Sequence, residues 1–231
     1  MPQKPDYPLL RQSVFEQALL LIENVLGRKG TLIDLGAGHC GFSRIANAMG
    51  WKATALDVRT ARRPDLPPEI AFIHADLNSE AWNPDDYDLI LCLGVYYHLD
   101  QTMQHALLRR CRGKPLIIDT HFANPAGTIN GYGLGDVYEL NGETGADFKE
   151  APDLDENTRK SMALLSSFIN PTSWWQTKDS LLQTIHDHGW PHVWMFDYPT
   201  IDEVQRSFFV CHTIDQNGGG ISGTRFVPFG R

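Results

Sequence analysis

Residues 31–42 have the sequence Thr31-Leu-Ile-Asp-Leu-Gly-Ala-Gly-His-Cys-Gly-Phe42. The apolar, β-leaning run at 31–35 is long enough for a buried strand and too short for a helix. Glycines follow at positions 36, 38 and 41, and Phe42, Ile45 and Met49 then recur at helical spacing before Gly50. We therefore predict a strand, a tight glycine turn and a helix. Such a turn lets a ligand approach the backbone closely and meet free helix N–H groups.

The glycine spacing fits two kinds of nucleotide site. Gly36-x-Gly38-x-x-Gly41 satisfies the dinucleotide fingerprint, and Asp57 follows near the distance expected for a ribose-binding acid. Asp34 argues against a dinucleotide site, because a carboxylate at this position would repel an anionic pyrophosphate. It favours a site for a ligand that carries a positive amino group. Asp34-Leu-Gly-Ala-Gly38 resembles the first motif of class I S-adenosylmethionine-dependent methyltransferases, which hold the methionine end of the cofactor there.

Strand and helix patterns alternate along the rest of the chain. Apolar runs predict strands that end at Leu56, Ile73, Leu93 and Asp119, and a capping box at Ser13 predicts a helix before the first strand. A last helix at 177–188 and two strands at 193–196 and 207–212 follow, as in the methyltransferase family. The expected fold class is α/β, with a seven-stranded, mostly parallel sheet, helices on both faces, a terminal antiparallel hairpin and a long lid insertion after strand five.

The length predicts a single domain over residues 1–231, which the resemblance implies is a methyltransferase domain. Within it we expect a proline-rich, irregular N-terminal arm at 1–12, a lid or substrate insertion at 121–175 and a flexible, glycine-rich tail at 216–231. The lid is inferred because its run of Asn, Gly and turn dipeptides is much longer than an ordinary connection. Between Phe122 and Lys160 it carries eight Asp or Glu against three Lys or Arg, which makes it a poor cover for nucleic acid.

Composition narrows the class of protein. The net charge of −8 and the pI of about 5.5 argue against a polyanion-binding surface. The four cysteines form no CxxC pair, and with no apolar signal core or membrane-spanning run they predict a reduced, cytoplasmic protein with no membrane partner. No metal-ligand spacing appears, so we expect no metal. The sequence leaves the oligomeric state open.

The resemblance implies that S-adenosyl-L-methionine is the cofactor and that particular residues hold it. Asp34 and the glycine turn would hold the methionine part, Asp57 the ribose, and Asp76 the adenine. Leu93 and Gly94 would line the sulfonium. The full set of expected cofactor-binding residues is Asp34, Gly36, Ala37, Gly38, Asp57, Val58, Asp76, Leu77, Leu93 and Gly94.

The resemblance also implies an acceptor, and we expect a small molecule or a sugar that is methylated at a hydroxyl oxygen. An oxygen of high pKa benefits from a base, which is worth about 10²–10⁴-fold in rate. His98 and His121 are the candidate catalytic residues, because they follow the ends of strands four and five. The segment 168–171 and the tryptophan pair at 174–175 are candidates for an aromatic wall. The expected substrate contacts are Arg11, Tyr97, Glu139 and Trp174.

Three other functions remain compatible with the sequence. The first is a transfer-RNA- or RNA-modifying methyl- or alkyltransferase with a basic face formed by Arg109, Arg110, Arg112 and Lys114. The second is an NAD-dependent oxidoreductase, and the third is a non-catalytic module that binds S-adenosylmethionine. The acidic balance of charge argues against nucleic acid as a partner.

Overall fold

A computed structural model of the chain describes residues 6–60, 63–124, 134–150, 154–161, 167–198 and 205–213. The predicted flexible tail at 216–231 and the first five residues of the predicted arm lie outside the described residues. Parts of the predicted lid, at 125–133, 151–153 and 162–166, also lie outside them. No helix in the described ranges is both long enough and apolar enough to cross a membrane.

A seven-stranded sheet forms the centre of the fold. Its strands are β1 (Thr31–Leu35), β2 (Lys52–Asp57), β3 (Ala71–His74), β4 (Leu89–Leu93), β5 (Leu116–His121), β9 (His192–Asp197) and β10 (Arg206–His212). Their spatial order is β3-β2-β1-β4-β5-β10-β9. The first five strands are parallel, whereas β10 runs antiparallel to both β5 and β9. The predicted α/β sheet with a terminal antiparallel hairpin is therefore confirmed.

Helices cover both faces of this sheet because successive strand residues point to opposite sides. The α-helices of the described residues are α1 (Tyr7–Leu26), α2 (Gly41–Ala48), α3 (Gln101–Cys111), α4 (Glu156–Ser161) and α5 (Lys178–Asp187), of which α4 lies within the insertion after β5. On one face Leu32 of β1 packs with Phe15 of α1. On the other face Ile33 packs with Leu107 of α3 and Ile185 of α5. The two buried clusters fix the sheet between the helical layers.

Helix α1 begins well before the predicted cap at Ser13. Asp6 caps it by accepting a hydrogen bond from the Leu9 backbone N–H at 3.2 Å. Pro8 lies in the first turn, where its missing N–H would have no partner in any case. The prediction of an irregular arm is therefore wrong for residues 7–12, since the proline starts a helix there. As a result Arg11 is held on a helix rather than on a mobile segment.

The insertion after β5 contains a second sheet instead of the predicted irregular lid. Strands β6 (Tyr138–Leu140), β7 (Glu143–Lys149) and β8 (Thr172–Gln176) pair antiparallel in that order. The two-residue turn between β6 and β7 is Asn141-Gly142, with φ of 51° and 85°. This positive-φ pair has the right twist for a tight hairpin. The turn dipeptide therefore marks a strand connection and not the middle of a loop.

Candidate active site

A cavity of about 470 Å³ opens at the carboxyl ends of β1, β2 and β4. The strand order reverses between β1 and β4, and open parallel sheets bind ligands at such a point. Nine of the ten residues that the sequence assigned to a cofactor line this cavity: Gly36, Ala37, Gly38, Asp57, Val58, Asp76, Leu77, Leu93 and Gly94.

The glycine turn forms one wall of the cavity. Gly36 has a φ of +67°, and a Cβ there would lie 2.9 Å from Cγ2 of Val95. Gly38 has a φ of +53°, and a Cβ there would meet no atom within 4 Å. Gly36 is thus needed for the close packing of the turn. Gly38 keeps the backbone open towards the cavity.

Asp57 joins the glycine turn to the end of β2. Its Oδ2 accepts a hydrogen bond from the Gly38 N–H at 2.8 Å, and its Oδ1 accepts one from the Arg59 N–H at 2.6 Å. A carboxylate has about four acceptor positions, so this one retains capacity for ligand hydroxyls. Asp57 therefore caps the following turn and also lines the cavity.

Asp34 does not line the cavity. It is 2% exposed, and its Oδ2 accepts a hydrogen bond from Ser43 Oγ at 2.7 Å. Burial raises the pKa of Asp34 to about 6, against the opposing effect of the Ser43 hydrogen bond. The carboxyl group lies beneath the turn and outside the cavity lining.

Two arginines share one buried carboxylate beside Gly94. Asp119 accepts a hydrogen bond from Arg11 Nε at 2.7 Å, and its two oxygens accept hydrogen bonds from Arg206 Nε and Nη2, both at 2.7 Å. Burial alone would raise the pKa of Asp119, but the charges of Arg206 and Arg11 outweigh it and hold that pKa well below its ordinary value. This side of the cavity presents two cations against one anion, which suits a ligand carboxylate.

Comparisons with known proteins place this architecture among solved structures, although no protein-family model matches the sequence and no curated protein is significantly similar to it. The N-terminal domain of EvdMO1 with SAH bound has a TM-score of 0.61 at 17% identity, over 86% of this chain and 80% of that chain. The Burkholderia thailandensis 1,6-didemethyltoxoflavin-N1-methyltransferase, with bound 1,6-didemethyltoxoflavin and S-adenosylhomocysteine, has a TM-score of 0.56 at 14% identity, over 88% and 80%. The chain has the fold of a class I methyltransferase. The glycopeptide N-methyltransferase MtfA complexed with S-adenosyl-L-methionine is also similar, with a TM-score of 0.51 at 12% identity, over 87% and 94%.

His98 lies on the wall of the cavity in this methyltransferase fold. Its Nδ1 is 2.6 Å from Oε1 of Glu150, a side chain of the insertion that is only 1% exposed. Glu150 also accepts hydrogen bonds from the Ser167 N–H at 2.9 Å and from Ser173 Oγ at 3.0 Å. A histidine at the cavity is thus fixed by a carboxylate that the sequence analysis missed.

His121 is outside the cavity lining. Its Nε2 accepts a hydrogen bond from Arg206 Nη1 at 3.0 Å, and its ring stacks on Trp175 with the ring centres 5.1 Å apart. Burial and the charge of Arg206 lower the pKa of His121 to about 3. The expectation that His121 acts as a base is therefore not supported by its position, because its lone pair already has a partner.

The four expected substrate contacts divide into two pairs. Arg11 and Tyr97 line the cavity. Glu139 lies on β6 with its side chain exposed, away from the cavity lining. Trp174 is 2% exposed and donates a hydrogen bond from Nε1 to Glu143 Oε2 at 3.1 Å. Trp174 thus packs within the insertion, and the prediction that it contacts the substrate does not match its place in the fold.

Residues 167–170 of the insertion form the opposite wall of the cavity. Arg59 Nη2 donates a hydrogen bond to the Ser167 carbonyl at 3.1 Å, and the Arg59 guanidinium lies 5.1 Å from the centre of the Phe168 ring. Asn170 Nδ2 donates to the His98 carbonyl at 3.3 Å. Of the aromatic wall expected from the sequence, Phe168 lines the cavity and the tryptophan pair does not.

Proposed function

We propose that this chain is an S-adenosylmethionine-dependent methyltransferase that methylates a hydroxyl oxygen of a small molecule or sugar. The observation that carries the proposal is the cavity at the reversal point of a methyltransferase sheet, bounded by an open glycine turn, an acidic residue at the end of β2 and Arg11.

The described residues fit the methionine and ribose parts of that cofactor. Gly36 and Gly38 leave the backbone of the turn accessible, and Asp57 retains acceptor capacity for the ribose hydroxyls. Arg11 is the partner for the methionine carboxylate, since its guanidinium lines the cavity and lies 4.5 Å from the centre of the Phe42 ring. Asp34 supplies negative charge beneath the turn for the methionine amino group.

When bound, S-adenosylmethionine supplies a methyl group on a sulfonium, which is a good leaving group. The chain then has to orient the acceptor and exclude water. The wall at 167–170 closes the cavity from the insertion side, and Tyr97 lines the end near Gly94. His98 is the candidate base for the acceptor proton, because it is the cavity-lining histidine that a carboxylate holds in place.

Contacts of the basic face do not support the alternative of an RNA-modifying enzyme. Arg110 donates hydrogen bonds to the carbonyls of Leu77, Ser79 and Trp82. Lys114 lies 3.2 Å from a carboxylate oxygen of Asp85. These cations hold neighbouring loops in place. Nor does the sheet support a nicotinamide-dependent oxidoreductase, because the antiparallel β10 between β5 and β9 differs from the order 3-2-1-4-5-6 of dinucleotide-binding folds.

Calorimetric titration of the full chain with S-adenosylmethionine and, separately, with NADH tests the proposal. We expect binding of S-adenosylmethionine alone. Asp57→Ala should weaken it by about 10- to 100-fold, the range for loss of hydrogen bonds to a charged group. Asp85→Ala is the matched control, because it removes a carboxylate from the 84–86 turn before β4, at the opposite edge of the sheet. Binding of NADH alone, or equal affinities for the two variants, would contradict the proposal.

A further inference from the structure

Glu150 is a buried carboxylate beside the cavity, and its contact with His98 determines which nitrogen of that ring carries a proton. Two donors reach its oxygens, Ser173 Oγ on Oε1 and the Ser167 backbone N–H on Oε2, and His98 Nδ1 lies 2.6 Å from Oε1. Side-chain exposure is 14% for His98 and 1% for Glu150. An ionised carboxylate can only accept hydrogen bonds, so a nitrogen at this distance has to donate one. His98 Nδ1 must therefore carry a proton.

The position of that proton determines what the other ring nitrogen can do. In a neutral imidazole one nitrogen donates and the other accepts. With Nδ1 protonated towards Glu150, Nε2 holds the lone pair. Among the described residues, Nε2 of His98 has no hydrogen-bond partner, and the ring lines the cavity. The free lone pair is thus available to a molecule in the cavity.

We propose that Glu150 is a positioning residue, which the insertion supplies to hold His98 in the Nδ1–H form and leave Nε2 as the proton acceptor for the substrate. This inference rests on the proposed function, and it specifies the class of acceptor as one that must lose a proton, such as a hydroxyl group. The hydroxyl proton passes to Nε2, and the negative charge of Glu150 offsets the positive charge that the ring acquires. The insertion is then part of the catalytic machinery and not only a cover.

Glu150→Gln tests the proposal with almost no change of shape. The amide group of Gln has one acceptor oxygen and one NH₂ donor. The NH₂ cannot face the Ser167 backbone N–H, which is itself a donor, so it must face His98 and Ser173. The serine hydroxyl can rotate to accept, but His98 can accept only through an unprotonated Nδ1. We therefore expect the substitution to invert the tautomer and to place the proton on Nε2.

The measurement is ¹⁵N-detected NMR of the histidine rings in the full chain at pH 7.5, with His98→Asn used to assign the His98 signals. We expect a protonated Nδ1 and an unprotonated Nε2 in the wild type, and the reverse pattern in Glu150→Gln. Glu139→Gln is the matched control, because it removes an exposed carboxylate from the same insertion and should leave the pattern unchanged.

The wild-type spectrum is decisive even if Glu150→Gln does not fold. A protonated Nε2 or a doubly protonated ring in the wild type would overturn the proposal, and so would an unchanged tautomer in a folded Glu150→Gln variant. Calorimetry with S-adenosylmethionine separates the two levels of inference. A failure of the wild type to bind the cofactor would remove the proposed function, whatever tautomer the ring adopts.

Discussion

The two sides of the cavity are built from the chain in different ways. On the side that we assign to the cofactor, the hydrogen bond from Gly38 to Asp57 joins residues only 19 positions apart, at the ends of adjacent strands. On the side that we assign to the acceptor, His98 and Glu150 are 52 positions apart, and Arg206 and Asp119 are 87 apart. The first side follows from one strand-turn-helix unit and its neighbour. The second exists only after the insertion and the terminal hairpin have packed.

This difference suggests that the sheet and the insertion have different tasks, cofactor binding and acceptor selection. The glycine turn and the end of β2 belong to the central sheet, which forms the rigid core of the fold. The insertion contributes Glu150 and the wall at 167–170, and loops on a rigid scaffold can vary while the sheet stays constant. We therefore expect the choice of acceptor to depend on the insertion and cofactor binding to depend on the sheet.

The largest effect is expected at Asp119, where the two sides meet. Its carboxylate binds Arg11 of α1 and Arg206 of β10. Asp119→Asn would leave the Arg206 side chain, which is 11% exposed, without a counter-charge. Removal of one partner from a buried pair costs about 3–5 kcal/mol, and urea denaturation at pH 7 measures this loss of unfolding free energy. Asp85→Asn, which removes an exposed carboxylate, should change it by less than about 1 kcal/mol.

The pH dependence at Asp119 provides an independent measurement. Because the folded pKa lies below the ordinary value of 3.8, this group stabilises the fold above about pH 4 and loses that contribution as the pH falls. The difference in unfolding free energy between the wild type and Asp119→Asn should therefore become smaller in acid. A constant deficit between pH 7 and pH 3 would show that the charge of Asp119 is not what joins the two sides.

Two glycines with similar backbone strain test whether the glycine turn contacts the cofactor. Gly38 and Gly142 both have positive φ, and a Cβ on either would meet no atom within 4 Å. Alanine at each should cost a similar 1–2 kcal/mol in unfolding free energy, roughly the penalty for a left-handed conformation. Gly38 lines the cavity and Gly142 does not, so Gly38→Ala alone should weaken S-adenosylmethionine binding, by about tenfold. Equal affinities would show that the turn does not contact the cofactor.

The cofactor side could be predicted from the sequence because its signals are local. Strand β1 matches its predicted bounds, and the cavity lining contains the glycines and the acidic residues at 57 and 76. Each of these lies at the end of a strand or a few residues beyond it, so sheet topology alone brings them to one edge. Asp34 is the exception. Successive side chains of β1 point to opposite faces of the sheet, and the side chain of Asp34 points beneath the turn. The sequence of the strand alone does not show which face lies towards the cavity.

His98, Tyr97 and Phe168 line the cavity as the sequence predicts, but the contacts that hold the acceptor side together could not be predicted because they are long-range. Nothing near Arg206 in the sequence indicates that it pairs with Asp119, and Glu150 follows a strand that was interpreted as a loop. Asn141-Gly142 was a usable signal for the hairpin, but it was counted as evidence for irregular structure. The Trp174 prediction failed for a related reason, since that residue belongs to a buried strand of the insertion.

The smallest expected effect is a change in the affinity for S-adenosylmethionine when Asp34 is protonated. Burial raises the pKa of this group from 3.8 to about 6, so its carboxyl stabilises the fold below pH 4 and loses that contribution as the pH rises through 6. The affinity for the cofactor should change with pH in the opposite direction, because the amino group of the cofactor favours the ionised form of Asp34. Half of the Asp34 population is protonated at pH 6. Affinity for S-adenosylmethionine should therefore be about twofold lower at pH 6 than at pH 7.2.

Asp34→Asn isolates this contribution because every other titrating group is retained. Calorimetry of the variant should give a lower affinity than the wild type at pH 7.2 and a smaller change between the two pH values. If the variant kept the full twofold change, the proton would lie on another group of the cavity. The cofactor side would then depend on hydrogen bonds from the glycine turn and Asp57 alone, without a through-space contribution from the buried carboxylate.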